Sequence, residues 1–219
     1  MSRELNLLST LPKTKRNVEN RESLKSEDIV SVSRQFGKMY FDGPREYGYG
    51  GYRYDGRWRT VARTLINEYN LRPDMRVLDV GCAKGFLVKD LMIEDPGIEA
   101  FGLDISTYAI KESEPEVIGR LHVGTAEQLP FPDKSFDFVF SINTIHNLDR
   151  DACKKALSEI QRVSTGRSYV VVDSYRSAQE KNLFEKWVLT ARYHGYPEEW
   201  LALFREVGYS GDYSWTIIE

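Results

Sequence analysis

"VLDVGCAKGF", residues 77–86, is a short apolar run that ends on an acid and then turns through two glycines. Val77 to Val80 reads as a buried strand, and Phe86 opens the helical pattern "FLVKDLM". Between them Gly81 and Gly85 bracket a tight turn into a helix N-terminus, where a ligand can approach the backbone. Asp79 narrows the choice of ligand. A carboxylate two positions before the first glycine would repel a pyrophosphate but suits a ligand carrying an ammonium group. The closely spaced Gly-x-Gly-x-x-Gly of nicotinamide folds is absent.

Outward from this turn the pattern repeats. "EAFGLD", "RLHVG", "FDFVFS" and "SYVVVD" each read as buried strands, separated by "STYAIKES" and "DACKKALSEIQRV" with helical periodicity. Such alternation predicts an α/β fold with a doubly wound, mostly parallel sheet. The strand "EAFGLD" ends in Asp104, placed to accept hydrogen bonds from ribose hydroxyls at the carboxyl edge of the sheet. After the fifth strand come two helices. One carries Leu183, Phe184, Trp187, Val188 and Ala191 on one face, and the other runs from Pro197 to Gly208. "DYSWTIIE" then forms a last strand, and a shortened antiparallel edge is expected there.

Upstream, Ser26 followed by Glu27 and Asp28 predicts a helix start, with the helix running to about Tyr40. Asp55 is a candidate N-cap for a helix that buries Trp58, Val61, Ala62, Leu65, Ile66 and Tyr69. Between these helices lies "REYGYGGYRYDGRWR", residues 45–59, with four tyrosines, four glycines, four arginines and a tryptophan. It reads as a roof over a ligand, a packed structural loop or a nucleic-acid arm. As a roof, Tyr47, Tyr49 and Tyr52 would offer flat faces, and Arg53, Arg57 and Arg59 could hold a carboxylate or phosphate. The expected organisation is a lid segment over residues 1–55 and a ligand-binding domain over residues 56–219.

The chain has 219 residues and a net charge of −3, which suits one α/β domain and disfavours a polyanion as main partner. Its two cysteines, Cys82 and Cys153, make neither a disulfide framework nor a zinc spacing, and fit a reduced cytoplasm. No apolar run reaches bilayer length, and no signal-peptide core follows the brief patch of Leu5, Leu7 and Leu8. The first residues, with a basic cluster at Lys13, Lys15 and Arg16, read as a mobile terminus, a lid or a dimer arm.

Residues 75–173 resemble a class I S-adenosylmethionine-dependent methyltransferase of the small-molecule type, with flanks similar to those of bacterial enzymes. The family's acid-x-Gly-x-Gly-x-Gly motif appears as Asp79, Gly81, Ala83 and Gly85, with Ala83 in place of the middle glycine. The resemblance implies S-adenosyl-L-methionine as cofactor and Asp104 as the acid that grips its ribose. It places Ile105, Thr125, Ala126, Glu127 and Asn143 around the rest of the cofactor, with Thr125 where an Asp is common. No metal is implied.

The fourth strand ends "SINTIHNL", without the Asp/Asn-Pro-Pro-Tyr of enzymes that methylate adenine or glutamine, and no cysteine follows a proline. His146 lies in the region expected to border the methyl group, and its pKa range suits a general base for a hydroxyl or amine. It could equally cap a helix or bond the backbone. His194 and His122 have weaker claims. The sequence therefore points to methyl transfer onto a small molecule, such as a sugar or nucleotide sugar. An RNA or protein methyltransferase and a non-catalytic cofactor-binding scaffold are the competing readings.

Overall fold

Strand residues alternate between two cores, one on each face of a single sheet. The computed structural model describes residues 2–12 and 16–218, so Lys13 and Lys15 lie outside the described residues. The strands are β1 (Arg76–Val80), β2 (Glu99–Asp104), β3 (Leu121–Val123), β4 (Phe138–Ile142), β5 (Ser168–Asp173) and β6 (Asp212–Thr216). They lie in the order β3-β2-β1-β4-β5-β6, and every pairing is parallel. Leu78, Val80, Val139, Val170 and Val172 face one core, while Val77, Phe138, Phe140, Tyr169 and Val171 face the other. This period of two, with both faces covered, makes the strands read as continuous apolar runs.

Helix α4 (Arg59–Tyr69) puts Val61, Ala62, Leu65 and Tyr69 on the second core, beside Leu87, Val88 and Leu91 of α5 (Phe86–Glu94). On the opposite face α7 (Arg150–Val163) contributes Cys153, Ala156, Leu157 and Ile160, and α9 (Pro197–Glu206) contributes Trp200 and Leu203. The short α6 (Thr107–Lys111) follows β2, and α8 (Ala178–Trp187) precedes α9. Val188 is extended at the end of α8, so that helix is shorter than its periodicity suggested.

The last strand is a correction. β6 pairs parallel to β5, from Tyr169 opposite Asp212 to Asp173 opposite Thr216, and not antiparallel. The reason is the connection: two helices carry the chain back along the sheet before β6 begins, and a parallel pairing needs such a crossover.

The first residues are not loose but pair along the edge of the sheet. Leu5 N–H donates to Tyr213 O, Tyr213 N–H donates to Arg3 O, and Leu7 is buried in the core. Asp212 ties this edge together. Its carboxylate accepts from the Arg3 N–H and guanidinium, and from the Tyr69 hydroxyl at 3.1 Å.

Upstream of α4 the chain forms three short helices, α1 (Val18–Leu24), α2 (Glu27–Ser33) and α3 (Lys38–Asp42). Ser26 caps α2 as its position suggests, accepting from Ile29 N–H at 3.3 Å. The single helix expected to reach Tyr40 is broken in two, because Phe36 adopts a left-handed φ of 49° and Gly37 is extended. Asp55 is not the cap of α4; Trp58 occupies that place, and Asp55 instead bonds Arg57.

Replacing Asp212 by Ala leaves the buried Tyr69 hydroxyl without its acceptor. Unfolding free energy should fall by about 1–3 kcal/mol, measured by denaturant titration.

Candidate active site

The strand order reverses between β1 and β4, and the crevice at such a switch point, outside the carboxyl ends of the strands, is where α/β sheets bind ligands. Asp79, Asp104 and Asp173 sit at or near the carboxyl ends of β1, β2 and β5, and His146 lies in the turn after β4.

The turn after β1 is held by its neighbours. Gly81 and Cys82 N–H both donate to Leu103 O, at 2.7 and 3.1 Å. Gly81 has φ 91°, and a Cβ there would fall 2.0 Å from Thr144 Oγ1, so only glycine fits. Ala83, in the motif's middle place, takes φ 51° and donates its N–H to Asp104 Oδ2 at 2.7 Å. Asp104 Oδ1 accepts from Ser106 N–H at 2.8 Å. The Asp104 carboxylate thus shapes the turn as well as facing the site, and burial raises its pKa against those two hydrogen bonds.

Asp79 differs. It is 5% exposed, and neither oxygen receives a hydrogen bond from the described residues. Burial, and then the nearby Asp104 charge, push its pKa well above the ordinary carboxylate range. A buried carboxylate without donors is costly unless a cation meets it.

The stretch 45–59 folds over this crevice through α3. Asp42 is its hub: Oδ2 accepts from Lys84 Nζ at 2.6 Å and from Tyr108 Oη at 2.8 Å, and Oδ1 from Tyr52 N–H at 3.0 Å. Lys84 belongs to the glycine turn, is 6% exposed, and also donates to Tyr52 O at 2.9 Å. Burial alone would raise the Asp42 pKa; the bonds from Lys84, Tyr108 and Tyr52 outweigh it and hold the carboxyl below its ordinary value.

Tyr52 stacks on Phe86 at 4.7 Å and lies 4.4 Å from Tyr49, which in turn stacks on Phe41 at 5.8 Å. Tyr49 is 45% exposed, yet burial raises its pKa and the charges of Asp104 and Asp173 reach its phenol. Tyr40 faces Tyr49 from α3.

His146 is buried, and its Nδ1 accepts from Asp173 N–H at 2.9 Å, while Nε2 lies 3.3 Å from Asp173 Oδ2. Burial lowers its pKa, against the pull of Asp173. Neutral His146 therefore carries its proton on Nε2, toward the carboxylate, and its one lone pair is already engaged.

The other expected residues divide. Ile105 is 56% exposed beside Asp104, Ala126 is buried, Glu127 is half-buried, and Thr125 is exposed and bridges Gln128. Asn143 turns toward the sheet edge, its Oδ1 accepting from Thr216 Oγ1 at 2.7 Å. Tyr47 has only a local backbone bond to Pro44, and Arg53 is exposed. Arg57 pairs with Asp55 at 2.5 Å and Arg59 with Glu94 at 2.8 Å, and both arginines are exposed.

Asp42, Lys84, Tyr108 and Asp173 were missed in the sequence. Asp173 carried a signal, since it ends a buried strand as Asp104 does.

Residues 78–172 match the family described as methyltransferase domain. The sterol 24-C-methyltransferase ERG6B of Gibberella zeae is 29% identical over 160 residues, 64% of this chain and 40% of that protein. The demethylmenaquinone methyltransferase of Symbiobacterium thermophilum is 31% identical over 116 residues, 49% of this chain and 45% of that protein. A SAM-dependent methyltransferase from Archaeoglobus fulgidus superposes with a TM-score of 0.54 and 25% identity, covering 69% of this chain and 68% of that one. Residues 78–172 thus match a methyltransferase domain, and the fold around them is shared with S-adenosylmethionine-dependent methyltransferases. The chain spans less than half the length of the two curated relatives described.

Asp42→Ala removes the acceptor shared by turn, roof and α6. Amide hydrogens of residues 45–54 should exchange about tenfold or more faster, while those of α4 stay protected by its buried face. Hydrogen-exchange mass spectrometry reads both.

Proposed function

We propose that the chain transfers a methyl group from S-adenosylmethionine to a hydroxyl or amine of a small molecule. The observation that carries this reading is Asp79, a buried carboxylate with no described donor, set before a glycine turn that admits no side chain at Gly81. An ammonium group would satisfy it. Asp104 would hold ribose hydroxyls with the lone pairs left by its two backbone bonds, and Ile105 and Ala126 would flank the adenine. When bound, the cofactor supplies an electrophilic methyl on a positively charged sulfur.

The chain's own residues would do the rest. The rings of Tyr40, Tyr49 and Tyr52 exclude water and offer flat faces to the acceptor. Because the Nδ1 lone pair of His146 is occupied, the Asp173 carboxylate is the group that takes the acceptor's proton, with His146 Nε2–H holding it in place. His146 becomes a positioning residue. Ring-bearing acceptors fit such walls, a sugar or nucleotide sugar among them; the relatives are named for a sterol and a demethylmenaquinone. We take residues 1–55 as the lid-bearing segment and the cytoplasm as the compartment, in keeping with buried free thiols at Cys82 and Cys153. No described helix is long and apolar enough to cross a membrane.

Calorimetry with S-adenosylhomocysteine should show binding that Asp79→Asn and Asp104→Ala each weaken by about one to two orders of magnitude, as loss of a charged hydrogen bond predicts. A cation binds the ionised form of Asp79, so wild-type affinity should fall as pH drops through its raised pKa, while Asp79→Asn stays flat across that window.

Asp173→Asn should lower kcat by roughly 10²–10⁴ with cofactor affinity unchanged, and His146→Gln should cost less. The reading fails if labelled methyl reaches no acceptor in a metabolite extract, or if S-adenosylhomocysteine does not bind.

A further inference from the structure

Two arginines beside the tyrosine wall form no ion pair with an acid among the described residues. Arg21, on α1, is 6% exposed; its Nη1 donates to Glu46 O at 2.8 Å and its Nη2 lies 3.5 Å from Gly48 O. Arg45 donates to the same Gly48 carbonyl. Their guanidinium carbons lie 4.7 and 5.5 Å from the centre of the Trp187 ring, and that of Arg16 lies at 5.8 Å. Glu22, next to Arg21, is drawn away to Lys186 at 2.9 Å. Among the described residues no carboxylate pairs with Arg21 or Arg45.

Arg21 is a buried cation bonded to backbone carbonyls and an aromatic face, with Glu46 as a nearby charge, and the exposed Arg45 beside it repels it. Burial lowers the pKa of both, and Arg45 lowers that of Arg21 further. Each fork keeps N–H donors beyond those used on the roof carbonyls, and planar forks suit carboxylate or phosphate oxygens.

We propose that Arg21 and Arg45, gathered on Trp187, form a subsite for a carboxylate or phosphate group of the methyl acceptor. This rests on the methyl-transfer reading above. The cluster adjoins the tyrosine wall: Arg21 and Arg45 both reach the Gly48 carbonyl, one residue before Tyr49, whose ring packs on Tyr40 and Tyr52. The acceptor is then a small anion, its charged group held beside the tyrosines and its nucleophile directed to Asp173.

The test titrates inorganic phosphate, and in parallel acetate, into the free protein at constant ionic strength, following tryptophan fluorescence and melting temperature. Wild type should bind at least one of the two saturably, and which one tells phosphate from carboxylate. Arg45→Gln and Arg21→Met should each weaken that binding about tenfold or more, with S-adenosylhomocysteine affinity unchanged in Arg45→Gln. Arg57→Gln, whose arginine is paired with Asp55, should bind as wild type. If Arg21→Met does not fold, Arg45→Gln at the rim decides alone. Absence of saturable binding of either anion, or equal binding by Arg45→Gln, overturns the proposal. Wild type that fails to bind S-adenosylhomocysteine overturns the methyl-transfer reading instead, whatever the anions do.

Discussion

The ion pair between the buried Lys84 and the half-buried Asp42 makes the site one unit. Lys84 comes from the glycine turn and Asp42 from the helix below the roof, so neither can shift without stranding a charge. Breaking such a pair costs more than forming it returns, because the remaining charge stays away from water. Tyr108 and the Tyr52 amide converge on the same carboxylate, which extends the tie to α6 and to the aromatic wall. A stretch rich in glycine, with little apolar surface of its own, is thereby ordered from outside itself.

The crevice beneath is electrically polarised. Asp79 and Asp104 face the glycine turn, Asp173 stands at β5, and the arginines stand beside Tyr40 and Tyr49. Burial raises the cost of ionising all three acids, and the Asp104 charge adds to it at Asp79. On the reading proposed above, a ligand with an ammonium and a positive sulfur would offset that cost at one end, and an anion would answer the opposite charge at the other. Charge distribution alone would orient two different molecules head to tail across the tyrosines.

The strands and the nucleotide-type turn could be read from the sequence because both are local. Period-two burial shows in the runs themselves, and Gly81 and Gly85 announce positive φ by being glycine. The parallel β6 could not be read so, since direction depends on how α8 and α9 pack and not on "DYSWTIIE". Arg57 illustrates a different failure: composition marked it as a ligand residue, but Asp55 two positions away satisfied it first. Asp42 stands just before Gly43 and Pro44, where the sequence shows only a turn. Its role depends on three partners 10, 42 and 66 residues away, a convergence that no spacing rule describes.

Arg3 and Asp212 meet across 209 residues of chain, and Tyr213 pairs with the backbone on either side of Glu4. During synthesis this strap cannot form until β6 has left the ribosome, so the edge of the sheet beyond β5 closes last. Until then Tyr169, whose hydroxyl bonds Leu5 O in the finished fold, waits at an open parallel edge. The nascent protein is most exposed to strand-to-strand association in that interval, and a few N-terminal residues end it.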